Sequence, residues 1–310
     1  MEAVYARRNQ TAIIEMASAA GLPMVGERKN PSLTTSYGVG ELVRHAVESG
    51  CNRVLLGLGG SATNDAGCGC AAALGVVFRT AEGKCFCPVG ETLDQVASID
   101  ISAARSLLKG VAFTVICDVT NPLYGPDGAA FVFAPQKGAD PAMVEMLDRK
   151  LRCFSRVLER ELGSTPAMLP GAGAAGGMAA GCVALLGASL KPGIDAILDT
   201  VGFDQLIDGA DLVITGEGRI DSQSLNGKVI SGVVSRTRCK GVPVVAIVGD
   251  VADSAYGAYE LGVGAIFSTN RLAIPFREAV HRSAQDYRRT LEDVMRLIQI
   301  SSHMCHENGR

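Results

Sequence analysis

Two glycine-rich stretches and a set of acids and lysines carry the chemistry that this sequence can perform. The first stretch, Gly57-Leu58-Gly59-Gly60-Ser61-Ala62-Thr63-Asn64-Asp65-Ala66-Gly67, leaves an aliphatic run and enters an alanine-rich one. Successive backbone N–H groups at a strand-to-helix junction suit a phosphate or carboxylate, so Gly59, Gly60, Ser61 and Asn64 are candidate anion-binding positions. A tight turn capped by Ser61 or Asn64 is the purely structural alternative. The stretch also opens as Gly-x-Gly-x-x-Ala with Glu82 twenty residues past Ala62, which keeps a nicotinamide-dependent dehydrogenase built on Gly57 to Ala62 in view.

The second stretch, Gly171-Ala172-Gly173-Ala174-Ala175-Gly176-Gly177, follows Ser-Thr-Pro-Ala-Met-Leu-Pro and not a strand. Its small residues let a backbone approach a ligand, and equally let two helices pack closely. Asp118 closes the apolar run Thr114 to Cys117, and Glu217 follows Leu212 to Thr215 within Gly216-Glu217-Gly218-Arg219-Ile220-Asp221. Acids at the carboxyl ends of strands line the crevice where α/β folds bind ligands. There they hold Mg²⁺, accept a hydroxyl proton, or simply cap and pair. With Asp65 and Asp221 as further acids and Lys137, Arg219 or Lys228 neutralising charge, the set favours phosphoryl transfer.

Other patterns fall short. Gly227-Lys228 is no P-loop, because Ser222 stands where the first glycine is needed and Val229 where a hydroxyl is needed. Cys68-Gly69-Cys70 and Cys85-Phe86-Cys87 lack the two-residue gap of a zinc site. His45 falls within a helical pattern, and His303, Cys305 and His306 sit in a polar tail.

The elements that must position these groups alternate between short aliphatic strands and longer helices. Strands are expected at 11–16, 53–58, 113–117, 212–215, 244–248 and 265–267. Helices are expected at 38–48, 67–74, 142–162, 177–186, 228–239, 255–261 and 277–298. In the 142–162 stretch Met143, Met146, Leu147, Leu151, Phe154, Leu158 and Leu162 recur at three- and four-residue steps, the mark of one buried face. The pattern predicts an α/β protein of two α/β domains. Residues 1–205 form a less regular mixed α/β domain with the glycine loops, 206–300 a Rossmann-like domain with a parallel sheet, and 301–310 a tail.

Composition bounds the partners. The chain has 310 residues, 37 of them Gly, and its formal net charge of -3 offers no field for nucleic acid or an anionic membrane surface. Residues 162–190 carry no charge, but Pro166, Pro170 and many glycines break the segment too often for a membrane span. The start shows no signal peptide, and ten cysteines in mostly apolar contexts fit a reducing cytoplasm.

Taken together, five segments resemble the bacterial class I glycerate kinases (glycerate 2-kinases). They are Gly57 to Gly67, Cys117 to Gly138, Gly171 to Gly181, Pro192-Gly193-Ile194-Asp195, and Asp211 to Gly227. The resemblance runs from near Tyr5 to about Ile298. It implies ATP-dependent phosphorylation of D-glycerate with Mg²⁺, with 2-phosphoglycerate the usual product. Catalytic roles then fall to Asp65, Asp118, Glu217 and Lys137, with Asp118 and Glu217 as metal ligands. The remaining loop residues, including Gly216, Gly218, Arg219, Asp221 and Lys228, bind substrate or phosphate. Family members begin upstream with an Asp-Ser-Phe-Lys loop and an Asp-Gly-Gly-Glu-Gly segment, and neither occurs here. The chain therefore reads as lacking roughly the family's first fifth, which implies an open sheet edge, pairing with a second copy, and, as an alternative function, ligand binding without turnover.

Overall fold

The computed structural model describes residues 2–221 and 229–307. The chain divides into two compact α/β units, Met1–Pro192 and Gly193–Arg310. The division falls ahead of 205 because the helix Gly193–Val201 sends Leu198 into the core of the second unit.

The first unit is built on a five-stranded sheet of β1 (Ala6–Arg8), β2 (Thr11–Glu15), β3 (Arg53–Gly57), β7 (Ala112–Ile116) and β8 (Ser189–Lys191), in that order. β2, β3, β7 and β8 run parallel, and β1 is an antiparallel edge. Val54, Leu55 and Leu56 are consecutive and all buried, as expected of a parallel strand covered on both faces. The register pairs Glu15 with Gly57, Gly57 with Ile116 and Ile116 with Lys191. The four parallel strands therefore end level, and the loops after β2, β3 and β7 emerge on one side.

A separate antiparallel sheet pairs β4 (Val77–Arg79) with β5 (Cys85–Phe86) and β6 (Ser98–Asp100). The helix Pro141–Leu162 packs against it, with the Phe78 and Phe154 rings 6.4 Å apart. This helix starts where its sequence says it should: the Asp140 side chain accepts from the Met143 amide at 2.8 Å, and Pro141 needs no donor at the first position. It stops at Gly163, which takes the left-handed conformation with φ +64. Leu147, Leu151, Phe154 and Leu158 are fully buried along one face, each such side chain contributing about 2–3 kcal/mol of burial.

The second unit holds a three-stranded parallel sheet of β9 (Val213–Thr215), β11 (Val244–Val248) and β13 (Val263–Ser268), with β11 central. β10 (Arg219–Ile220) and β12 (Asp250–Val251) form a short parallel pair. The helix Val229–Arg238 connects β9 to β11, and Ile230, Val233 and Val234 join the core there. The last helix runs from Phe276 to Glu307, continuing through most of the expected tail. No helix among the described residues is long and apolar enough to cross a membrane.

Candidate active site

The loop after β3 turns its carbonyls into the protein. The Met16 amide donates to the Gly57 carbonyl at 2.9 Å and the Leu22 amide to that of Gly60 at 2.8 Å. The Thr34 hydroxyl donates to the Ala62 carbonyl at 2.8 Å. The amides of Gly59, Gly60 and Ser61, in contrast, donate to no acceptor among the described residues. All three residues line a cavity of about 440 Å³ at the level ends of the parallel strands. Gly60 needs its freedom, with φ +69. A Cβ on Gly59 would meet nothing within 4 Å, so the space above it belongs to the cavity.

Two charged side chains reach the cavity wall. Asp118 comes from the loop after β7, and Lys137 from the short turn Pro135–Lys137. The Asp118 loop is pinned from behind: the Gly125 amide donates to the buried Asp148 carboxylate at 2.7 Å, and Asn121 Nδ2 to the Asp127 carbonyl at 2.8 Å. Lys137 is only 1% exposed, and its ammonium donates to the Thr63 carbonyl at 2.7 Å. Burial pushes its pKa down to about 8, with the Asp65 charge acting in the opposite direction.

Asp65 lies under this loop, fully buried. Its carboxylate accepts from the Ser36 amide at 2.7 Å, the Ser36 hydroxyl at 2.8 Å, and the amides of Gly67 and Gly69 at 3.1 and 3.2 Å. Desolvation raises its pKa, and these four donors oppose the rise. So arranged, Asp65 ties the loop to the start of the helix Tyr37–Glu48 and does not line the cavity. Asn64 is also fully buried, and neither its amide nitrogen nor its oxygen has a partner among the described residues.

The second glycine stretch lies against backbone. Ala174 and Ala175 line the cavity, while a Cβ on Gly173 would stand 2.2 Å from the Pro122 carbonyl oxygen and one on Gly176 2.1 Å from that of Thr63. On Gly171 it would stand 2.8 Å from Cys117 Sγ, and on Gly177 2.6 Å from the Leu123 side chain. Ala175, Gly176 and Gly177 are left-handed, so regular helix begins only at Met178. The Ala66 amide donates to the Gly176 carbonyl at 3.1 Å, locking the two glycine stretches together.

In the second unit, Gly216, Glu217, Gly218 and Arg219 follow β9. Glu217 Oε1 accepts from the Ile230 amide at 3.2 Å, at the start of a helix, and a Cβ on Gly216 would strike the Ile247 carbonyl oxygen at 2.4 Å. Gly218 and Arg219 line a separate cavity. Asp221 closes the described stretch, and Lys228 lies outside the described residues. Among the described residues no cluster of three or more His, Cys, Asp or Glu is placed to hold a metal.

The dehydrogenase expectation fails on topology. After β3 and the helix Cys68–Ala73 the chain enters β4 of the antiparallel sheet and returns to the parallel sheet only at β7, so Gly57 to Ala62 does not sit in a short, direct strand–helix–strand unit. Glu82 sits in the exposed turn between β4 and β5. Sequence reasoning also missed Ser36 and Thr34, which hold the first loop. Their only signal is the hydroxyl-rich run Thr34-Thr35-Ser36 directly before a helix.

Residues 1–299 match the profile of the glycerate kinase family. The chain is 44% identical over 294 residues to a glycerate kinase of Bacillus cereus, covering 94% of this chain and 77% of that one. It is 45% identical over 260 residues to the glycerate 2-kinase of Escherichia coli strain K12, covering 84% and 68%. A solved structure of a candidate glycerate kinase 2 from Salmonella typhimurium LT2 superposes with a TM-score of 0.80 at 40% identity, over 97% of this chain and 79% of that one. The match extends over nearly the whole chain and includes both units: the protein is an enzyme of the kinase class and belongs to the glycerate kinase family.

Proposed function

We propose that the protein phosphorylates D-glycerate at its 2-hydroxyl, using ATP as donor and yielding 2-phosphoglycerate. The observation that carries this reading is the set of amides of Gly59, Gly60 and Ser61, with no acceptor among the described residues, on one cavity wall with Lys137 and Asp118. A glycerate kinase must hold a carboxylate and a phosphoryl group while drawing a proton from a hydroxyl. The amides and Lys137 supply fixed positive partners that need no reorganisation during transfer. Asp118 accepts the hydroxyl proton, since Asp65 already has four donors and lies beneath the loop. The glycines at 171, 173, 176 and 177 hold Ala174 and Ala175 against this cavity.

A bound Mg²⁺ would supply charge neutralisation at the phosphates. Asp118 in the first unit and Glu217 in the second are each a hard oxygen donor of the kind that suits it. Arg219, Asp221 and Lys228 remain candidates for the donor's phosphates.

The test is a coupled assay with ATP and D-glycerate on the wild type and on Asp118→Ala, with ³¹P NMR of the product. The reading expects 2-phosphoglycerate from the wild type and a loss of at least 100-fold in kcat for the variant. Absence of ADP release with glycerate would sink it, and a 3-phosphate product would correct the position of attack.

A further inference from the structure

We propose that the cavity of the second unit is a nucleoside site that takes the base and ribose of the phosphate donor, with Asp250 receiving the ribose hydroxyls and Leu272, Ile274, Phe276 and Val280 forming the platform for the base. The proposal rests on the kinase reading above and gives the donor a location.

The topology points there first. β9, the helix Val229–Arg238 and β11 form a parallel βαβ unit, so the loops Gly216-Glu217-Gly218 and Gly249-Asp250 emerge together from adjacent strand ends. The Gly249 amide donates to the Glu217 carbonyl and the Asp250 amide to that of Gly218, both at 3.1 Å. A glycine loop after one strand and a carboxylate after the next is an arrangement that seats a ribose diol on the acid.

The shape agrees. The cavity measures about 870 Å³, within the roughly 300–1,000 Å³ typical of small-ligand sites. Phe276 is 83% exposed, Leu272 50% and Val280 47%, apolar side chains left to solvent in a lining that also holds Asn270 and Ser283. A Cβ on Gly218 would meet nothing within 4 Å, whereas one on Gly249 would stand 2.4 Å from the Gly218 carbonyl oxygen. Gly249 is thus required by packing, and the room over Gly218 opens into the cavity.

Charge selects the part of the donor. The ionic groups are already balanced within the protein: Arg219 with Asp250 at 3.5 Å, Arg271 with Asp293 at 2.7 Å, and Arg282 with Asp286 at 3.2 Å. A balanced lining favours the neutral nucleoside over its phosphates. Arg219 and Asp250 are both more than half exposed, so their pair contributes little and yields readily to a diol.

The experiment is calorimetric titration of the full chain with ADP and with 2′,3′-dideoxy-ADP, on the wild type, Asp250→Asn and Phe276→Ala, with melting curves to confirm folding. Both variants are expected to weaken ADP binding about tenfold. Asp250→Asn is expected to bind the dideoxy nucleotide as tightly as the wild type does, an equality that a general structural role would not produce. ADP affinity unchanged in both variants, or an equal loss on the dideoxy nucleotide for Asp250→Asn, overturns the proposal. If glycerate turnover persists while both variants keep the wild-type KM for ATP, the nucleoside site falls and the kinase reading stands. If ADP binding depends on Asp250 but no turnover occurs, the site stands and the kinase reading falls.

Discussion

The two glycine-rich stretches look alike in sequence and do opposite work. In the first, Gly59 faces open cavity and the amides from Gly59 to Ser61 donate to no acceptor among the described residues. In the second, Gly173 and Gly176 have carbonyl oxygens where a Cβ would be, at 2.2 and 2.1 Å. One stretch is free of side chains so that something else can come close, the other so that the chain can touch itself. Glycine content alone does not separate these cases; the neighbours of the absent Cβ do.

The strongest way to break this contrast is Gly176→Ala. A methyl group against the Thr63 carbonyl, on a residue with φ +69, should cost about 4 kcal/mol or more, read as loss of the urea unfolding transition or a large fall in its midpoint. A mild effect would show that the two stretches separate freely. Next comes Asp65→Asn, which removes the charge that four donors hold. We expect about 3 kcal/mol of destabilisation, and an unaltered unfolding midpoint would mean that Asp65 is not the tie beneath the loop.

Lys137→Met should lower kcat/KM for glycerate about 100-fold, or roughly 2.7 kcal/mol. The wild type adds a pH signature with two opposite signs. The ammonium titrates at about 8 when folded, against its ordinary 10.5, so KM for glycerate should climb as pH rises through about 8. Over the same window the unfolded chain binds more protons than the folded one, so stability should rise with pH, and Lys137→Met should lack both trends. The smallest effect sharpens the comparison: Gly59→Ala should keep its melting temperature within about a degree while KM rises about tenfold, since its Cβ meets only cavity space. An unfolding defect in Gly59→Ala would erase the difference between the two stretches.

Much of the fold was legible because the strands are short aliphatic runs between strong helix signals. All six expected strands and the long amphipathic helix lie within a residue or two of their observed bounds. β8 was missed because Ser189–Lys191 has no apolar run; it pairs with β7 through the backbone ladder and the Ser189 hydroxyl, which lies 3.3 Å from that of Thr114. The antiparallel sheet was missed for a similar reason, since Cys85–Phe86 is too short to show alternation. At the site, Gly59, Gly60, Ser61, Asp118 and Lys137 were readable as a group from residue type and strand-end position, and the structure brings all five to one cavity. Sequence could not reveal that Asp65 is consumed by Ser36, because that contact joins distant positions through a hydroxyl with no periodic signature. Nor could it separate Gly218 from Gly249, whose difference is only what stands nearby.

The bond from Ala66 to Gly176 also orders events during synthesis. β2, β3 and β7 can pair as they leave the ribosome, but the two stretches are joined across roughly a hundred residues of chain, a contact that comes late in folding. Until Gly181 has emerged, with its backbone pressed on the Ala66 carbonyl, the loop from 58 to 67 has no floor and leaves Thr63 and Asn64 in water. The cavity is therefore made late, with only the end of its unit, including β8, still to follow, and a nascent chain halted before that point holds β2, β3 and β7 without a site.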